Sequence, residues 1–129
     1  MDEFTISIPR ERPFATVAGL VIGGIVARHD VTLDVLNDLQ LALDGVLERS
    51  DEDVGQVTIE IRVDNGTIAT FIGPVTDSTA AELEQEAGDS LGLRRLLEAV
   101  VDSVTLSERE SGSWIELRKG YELAGRKSI

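Results

Sequence analysis

Strict alternation of apolar and polar residues predicts β-strands in the first half of the chain. Residues 56–63 place Val57, Ile59, Ile61 and Val63 on one side and polar residues on the other. Residues 4–8 follow the same pattern more briefly, and residues 67–72 are again rich in β-favouring side chains. Asn65-Gly66 separates two of these segments, and this pair favours the type I′ turn of a β-hairpin. Gly73-Pro74 is predicted to end the returning strand.

A second strand pair is predicted near the end of the chain. Residues 104–108 and 113–119 have β-type patterns, and the short segment 109–112 joins them. Trp114 and Ile115 are neighbours in the later strand, so one of the two must face the core. We expect Trp114 to pack on the sheet rather than to bind a ligand.

Helical spacing of apolar residues predicts three helices. They cover residues 14–28, 33–47 and 91–102. Thr32 is placed to cap the second helix through its hydroxyl group. The first helix contains three glycines, each of which weakens a helix by about 1 kcal/mol relative to alanine. Close packing against a neighbouring element would compensate for them.

The order of these elements predicts an α+β fold. We expect a two-layer α/β sandwich in which one mixed, mostly antiparallel sheet carries the helices on one face. Residues 1–129 are expected to form a single domain, with a partly flexible basic tail over residues 118–129. Residues 75–90 are small, polar and acidic, and predict a long, lid-like loop with a short helix near residues 80–87.

Charge and composition exclude several classes of binding partner and metal site. Twelve basic against 24 acidic residues give a net charge of −12, which argues against nucleic acid or an anionic membrane as a partner. The chain has no cysteine and one histidine, which excludes a zinc finger or an iron–sulfur site. The lone His29 is expected to be an exposed loop residue. The longest apolar stretch is too short to span a membrane and no signal peptide is evident, so a cytoplasmic protein is expected.

The order of elements and several local strings resemble a known family, the anti-sigma regulatory factors. These are small serine-protein kinases with the GHKL, or histidine-kinase-like, ATPase fold, and they act in bacterial partner switching. The resemblance covers nearly the whole chain. The strings that carry it are Asp38-Leu-Gln-Leu-Ala-Leu-Asp44, Asn65-Gly66, Ser90-Leu-Gly-Leu-Arg-Arg-Leu-Leu97 and Ser111-Gly-Ser-Trp-Ile-Glu-Leu117.

The family's catalytic box, Glu-x-x-x-Asn, corresponds to Asp44 and Glu48 in this chain. The resemblance implies that Asp44 occupies the position of the general base and Glu48 the position of the Mg²⁺ ligand. Two carboxylates four residues apart on a helix share one face and could bind a hard cation. They are more simply explained as surface acids of an acidic protein.

The family's other nucleotide motifs are poorly preserved. In the Asp-x-Gly-x-Gly box, Phe71 replaces the aspartate that accepts from adenine, Gly73 is kept, and Val75 replaces the second glycine. In the Gly-x-Gly-Leu box, Gly92 is kept and Ser90 replaces the first glycine. Losing the aspartate removes a charge-assisted hydrogen bond worth roughly 1.5–3 kcal/mol. Phe71 is more simply interpreted as a core residue.

Three hypotheses follow from the resemblance. The first is an anti-sigma-like regulator that binds a sigma factor or an anti-anti-sigma antagonist, with a second copy of itself as a further partner. This regulator would bind no ATP, have no kinase activity and need no cofactor or metal. The second is an active Mg-ATP-dependent serine kinase that uses Asp44 and Glu48. The third is a non-catalytic module for dimerisation or for another ligand.

Overall fold

The computed structural model describes residues 2–9, 12–29, 31–49, 55–64, 66–84 and 92–121. The elements follow one another in the predicted order. They are β1 (Asp2–Pro9), α1 (Arg12–Ala27), α2 (Leu33–Arg49), β2 (Gln56–Asp64), β3 (Thr67–Val75), α3 (Asp77–Glu84), α4 (Leu93–Val100), β4 (Ser103–Arg109) and β5 (Gly112–Gly120).

The five described strands form one sheet in the order β1-β2-β3-β5-β4, and every neighbouring pair is antiparallel. The sequence predicted a mixed sheet, and this detail is corrected. The two predicted helices do connect β1 to β2, and after them the chain returns in the opposite direction, so these strands pair antiparallel. β3 and β4 run in the same direction, but β5 lies between them.

One face of the sheet and the helices enclose the main core. Ile59, Ile61, Ile72 and Ile115 have no more than 1% of their surface exposed, and they share a cluster with the inner residues of the helices. Thr32 caps α2 as predicted, because its hydroxyl oxygen accepts a hydrogen bond from the Val35 amide at 3.4 Å. The α+β fold with helices on one face of a mainly antiparallel sheet is therefore confirmed.

Close packing between α1 and α2 supports one of the predicted glycine roles. A Cβ on Gly23 would lie 3.2 Å from Nε2 of Gln40 and 3.7 Å from Leu36. The same Gln40 amide donates to the Gly19 carbonyl at 3.3 Å. Gly23 therefore lets the two helices approach, which offsets part of its cost to helix stability.

Three details differ from the predictions. β3 continues past Gly73-Pro74, whose peptide bond is cis, to Val75 across an irregularity in its pairing with β5. β5 extends through Gly120, so residues 118 and 119, where the predicted strand and the predicted tail overlap, belong to the strand together with Gly120. His29 is only half-exposed, and its Nε2 lies 2.8 Å from a carboxylate oxygen of Asp2. The remainder of the predicted tail lies outside the described residues.

Candidate functional site

Asp44 and Glu48 lie in α2, the helix predicted to carry the catalytic box. Asp44 is exposed, whereas its neighbour Gly45 is buried under α4. A Cβ on Gly45 would lie 2.8 Å from Cδ2 of Leu96, so α4 covers α2 directly beside Asp44. The side chain of Glu48 lies outside the described part of the structure. Among the described residues, no group of three or more acidic or histidine side chains is placed to hold a metal ion.

Phe71 and Gly73 lie on the opposite side of the sheet from α2. Register places Phe71 beside Glu60 and Glu116, and Gly73 beside Thr58, whereas the alternate residues of β3 enter the main core. Phe71 forms a separate buried cluster with Ala69 and Trp114. We call the sheet face that carries Ala69, Phe71 and Trp114 the open face, because the described helices contribute no residue to this cluster.

The indole of Trp114 occupies the space above Gly73. A Cβ on Gly73 would overlap three atoms of that ring, and the farthest of them, Cε2, would be 2.8 Å away. Trp114 is 5% exposed, and its ring N–H donates to the Ser111 hydroxyl oxygen at 2.8 Å. The glycine at position 73 is therefore explained by an aromatic ring of the protein itself.

Two arginines cover the aromatic cluster of the open face. The guanidinium carbon of Arg109 lies 4.0 Å from the centre of the Trp114 ring and 5.4 Å from that of Phe71, and Arg62 lies 4.9 Å from the Phe71 centre. Arg109 also donates to both carboxylate oxygens of Glu60, at 2.9 and 3.3 Å. Cation–π contacts and the bidentate ion pair between Arg109 and Glu60 thus hold the guanidinium groups over the rings and shield the rings from water.

Val75 and Gly92 end up in different environments. Val75 is 7% exposed and belongs to the main core. Gly92 is the N-cap of α4, in extended conformation with φ −69° and ψ 165°, and it makes no side-chain capping bond. The predicted lid is described only in part: α3 occupies Asp77–Glu84, and residues 85–91, including Ser90, lie outside the described residues.

The described structure places the predicted pocket residues in several different environments. Asp44 is exposed on α2, and Phe71 and Gly73 are on the open face. Val75 enters the main core, and Gly92 is the N-cap of α4. Their assignment to a nucleotide pocket stays a prediction. Sequence reasoning missed Arg109, which was placed in a turn; the signal available was its position close before the aromatic strand residue Trp114.

α1 presents a second candidate surface. Val17, Leu20 and Val21 are 46%, 70% and 39% exposed, and we call these three residues the α1 stripe. Ala18 and Ile22 fill the buried side of the same helix. No charged residue occurs between positions 13 and 27. A contiguous uncharged apolar surface of this kind is a feature of interaction sites.

The fold and these two surfaces define an α+β protein with an antiparallel sheet that is covered on one face by helices and carries an exposed apolar helix. No protein-family model matches the chain, and no curated protein matches it significantly. Among the described residues, no helix is long and apolar enough to cross a membrane. The family suggested by the sequence strings therefore stays a proposal.

Proposed function

We propose that this protein is a regulator of the anti-sigma type that acts by binding other proteins and has lost nucleotide binding. The observation that carries the proposal is the packing of Phe71 and Gly73. At the family's adenine-contact box, Phe71 is buried beneath Arg62 and Arg109, and the space above Gly73 is filled by Trp114. These positions serve the protein's own packing, and the side chain of Phe71 has no polar atom to offer a purine.

Electrostatics supports the same conclusion. The chain carries a net charge of −12, and exposed acids occur on α2 (Asp34, Asp44) and α3 (Asp77, Glu84). Mg-free ATP brings about four negative charges, each of which is repelled by carboxylates within a Debye length of roughly 8 Å. Arg94 follows the lid, but it donates to the Leu83 carbonyl at 2.6 Å and to Glu98 at 3.2 Å. The guanidinium group of Arg94 is therefore already bonded within the protein.

The acidic surface favours a basic binding partner. A strongly negative protein attracts positive surfaces over long range and speeds their association. The implied partners are a sigma factor or an anti-anti-sigma antagonist. Binding of such a partner should weaken as salt is added, because screening reduces the attraction between opposite charges.

Calorimetric titration with Mg-ATP tests the loss of nucleotide binding. The proposal expects no heat and no shift in melting temperature at millimolar ligand. Clear binding would favour the alternative of an active Mg-ATP-dependent serine kinase. Asp44→Asn would then be the informative variant, because it removes the predicted base while leaving an exposed position of α2 otherwise unchanged.

Affinity capture from the native cytoplasm tests the regulatory role. Tagged protein is used at low and at moderate salt, and captured proteins are identified by mass spectrometry. Salt-sensitive recovery of a sigma factor or an antagonist is expected. Recovery of neither at low salt would reject the regulatory proposal and leave the third alternative, a module for dimerisation or another ligand.

A further inference from the structure

α1 and α2 lie side by side and run antiparallel. The Gly19 carbonyl of α1 accepts a hydrogen bond from Nε2 of Gln40 at 3.3 Å. One turn later in α1, a Cβ on Gly23 would meet both Gln40 and Leu36, which lies one turn earlier in α2. Residues at the start of α2 therefore lie beside the end of α1, and residues near the end of α2 lie beside the start of α1.

Leu33 of α2 extends the α1 stripe across the contact between the two helices. Leu33 is 68% exposed and precedes Leu36 by three residues, so the two share one side of α2. Leu20 is 70% exposed and precedes Gly23 by three residues in the same way. The two leucines thus lie on neighbouring sides of the two helices, at the surface of the helix layer. We call Val17, Leu20, Val21 and Leu33 the helix patch.

Exposed carboxylates border the helix patch. Asp44 lies one turn beyond Gln40, on the side of α2 next to the start of α1, and it is exposed. Asp34 is exposed in the first turn of α2. Asp2 of β1 is also exposed, and its carboxylate lies 2.8 Å from Nε2 of His29, just after the end of α1. The patch therefore has an apolar centre and negatively charged borders.

The charges of the open face are arranged differently. Its described arginines pair with carboxylates of the same face: Arg109 with Glu60, Arg118 with Glu116 and Arg62 with Glu3. Around the helix patch, among the residues that the structure describes, three acids (Asp2, Asp34 and Asp44) outnumber Arg28, an exposed cation that follows α1. Long-range attraction of a positively charged surface is therefore directed to the helix patch rather than to the open face.

We propose that the helix patch binds an amphipathic helix of a partner protein, whose apolar face is flanked by lysine or arginine side chains. This inference rests on the proposed function, in which the chain acts by binding other proteins. It adds the surface that makes the contact and the form of the partner segment that is bound.

The length and the charge of the helix patch select this occupant. The α1 stripe and the exposed Gly24 after it cover positions 17–24, which span about 10 Å along the helix. Two turns of a partner helix cover the same length and present apolar residues at i, i+3 or i+4, and i+7. Basic residues beside them would lie near the acids at the borders. A second copy of this chain, with its net charge of −12, would instead be repelled.

NMR titration of the isotope-labelled full chain locates the binding surface. The probe is a synthetic peptide of about 15 leucine and lysine residues, with the leucines at helical spacing so that it forms an amphipathic helix. We expect saturable shifts of the amide signals of residues 17–24 and of Leu33. The indole signal of Trp114, the single tryptophan, reports from the open face and should stay unchanged. No saturable binding at millimolar peptide, or shifts centred on Trp114, would overturn the proposal.

A second peptide, in which glutamate replaces every lysine, tests the charge requirement. It keeps the apolar face and should bind at least about 10-fold more weakly than the lysine peptide. Added NaCl should weaken binding of the lysine peptide, because salt screens its attraction to the acids at the borders. Equal affinity for the two peptides would overturn the basic character of the partner.

Leu20→Gln tests the apolar centre, because it removes the most exposed side chain of the patch and adds no charge. The matched control is Leu41→Gln, at a 53% exposed leucine one turn before Gly45, on the side of α2 next to α4. We expect Leu20→Gln to raise the Kd of the lysine peptide about 10-fold or more, and Leu41→Gln to stay within about 3-fold of wild type. Wild-type affinity in the Leu20→Gln variant would overturn the proposal, since binding would then depend on net charge alone.

Affinity capture with the Leu20→Gln variant separates this inference from the proposed function. Loss of a sigma factor or antagonist that wild type captures would support both. Equal capture by wild type and Leu20→Gln would overturn the role of the helix patch and leave the regulatory function standing. Peptide binding at the patch without capture of either regulator would support the patch and reject the regulatory function.

Discussion

Replacing Gly73 by alanine would place a methyl group in steric overlap with the indole of Trp114. The new Cβ would be 2.8 Å from Cε2 and closer still to two other ring atoms. Carbon atoms in favourable contact lie about 3.5–4.0 Å apart. Either the ring or the backbone of β3 must therefore move.

The surroundings of Trp114 restrict the movement of its ring. The indole N–H is bound to Ser111, the Arg109 guanidinium lies 4.0 Å from the ring centre, and the residue is 5% exposed. Overpacking of a filled site costs about 1–3 kcal/mol, and we expect Gly73→Ala to fall in the upper half of this range. The cost is steric and arises without any ligand.

Urea denaturation followed by circular dichroism measures this loss. Gly19→Ala is the matched control, because a Cβ there meets nothing within 4 Å. It should stabilise α1 by about 0.5–1 kcal/mol through helix propensity alone. Repeating Gly73→Ala in a Trp114→Leu background should reduce its cost below about 1 kcal/mol, and the double-mutant cycle gives the coupling energy.

If Gly73→Ala destabilised the protein equally with and without Trp114, the steric explanation would be refuted. It would also be refuted if the Gly73→Ala variant had the same urea denaturation curve as wild type. If Gly73 were kept to let a nucleotide approach the backbone, the ligand-free protein would tolerate alanine and only ligand binding would suffer. The same variant thus separates a packing role from a binding role at this position.

Three further substitutions test the packing of the sheet and the helices. Arg109→Lys keeps the charge but loses the bidentate contact with Glu60 and the guanidinium stacked on the rings. We expect the free energy of unfolding to fall by about 1–2 kcal/mol in urea denaturation. An unchanged denaturation curve would contradict this. Gly45→Ala should leave the free energy of unfolding within about 0.5 kcal/mol of wild type, because the end of the 38% exposed Leu96 side chain can rotate away and helix propensity improves. A loss above about 2 kcal/mol would show that Leu96 and α4 cannot move to accommodate the methyl group. Gly23→Leu should lower the free energy of unfolding by about 2 kcal/mol, because the larger side chain forces α1 away from α2. Amide hydrogen exchange in α1 should become faster. Unaltered exchange would argue against close contact between the two helices.

Local signals account for the parts of the fold that were predicted correctly. Period-2 alternation and Asn65-Gly66 indicate β2 and β3, and Thr32 marks the start of α2. Each of these signals acts within a few residues, through pleat geometry, turn conformation or a capping bond. The predicted end of β3 at Gly73-Pro74 was wrong because pairing with β5 resumes at Val75, where it is opposite Ser113.

The candidate site depended on longer-range information. Alternation alone puts Phe71 and Ile72 on opposite faces, but only the packing of the helices decides that Ile72 enters the main core. Arg109 and Glu60 are 49 residues apart, and the strand order β2-β3-β5-β4 brings them together over Phe71. No local pattern encodes such a contact.

By itself, the sequence determined the order of the elements, the two hairpins, the capped start of α2 and the acidity of the surface, because these depend on neighbouring residues or on simple sums. Tertiary structure alone decided which side of α1 is buried. Its residues between positions 13 and 27 are uncharged, so nothing in the sequence distinguishes an inner from an outer face. Packing of Ala18 and Ile22 into the core left Val17, Leu20 and Val21 exposed, because a helix confined to one layer can bury only one side.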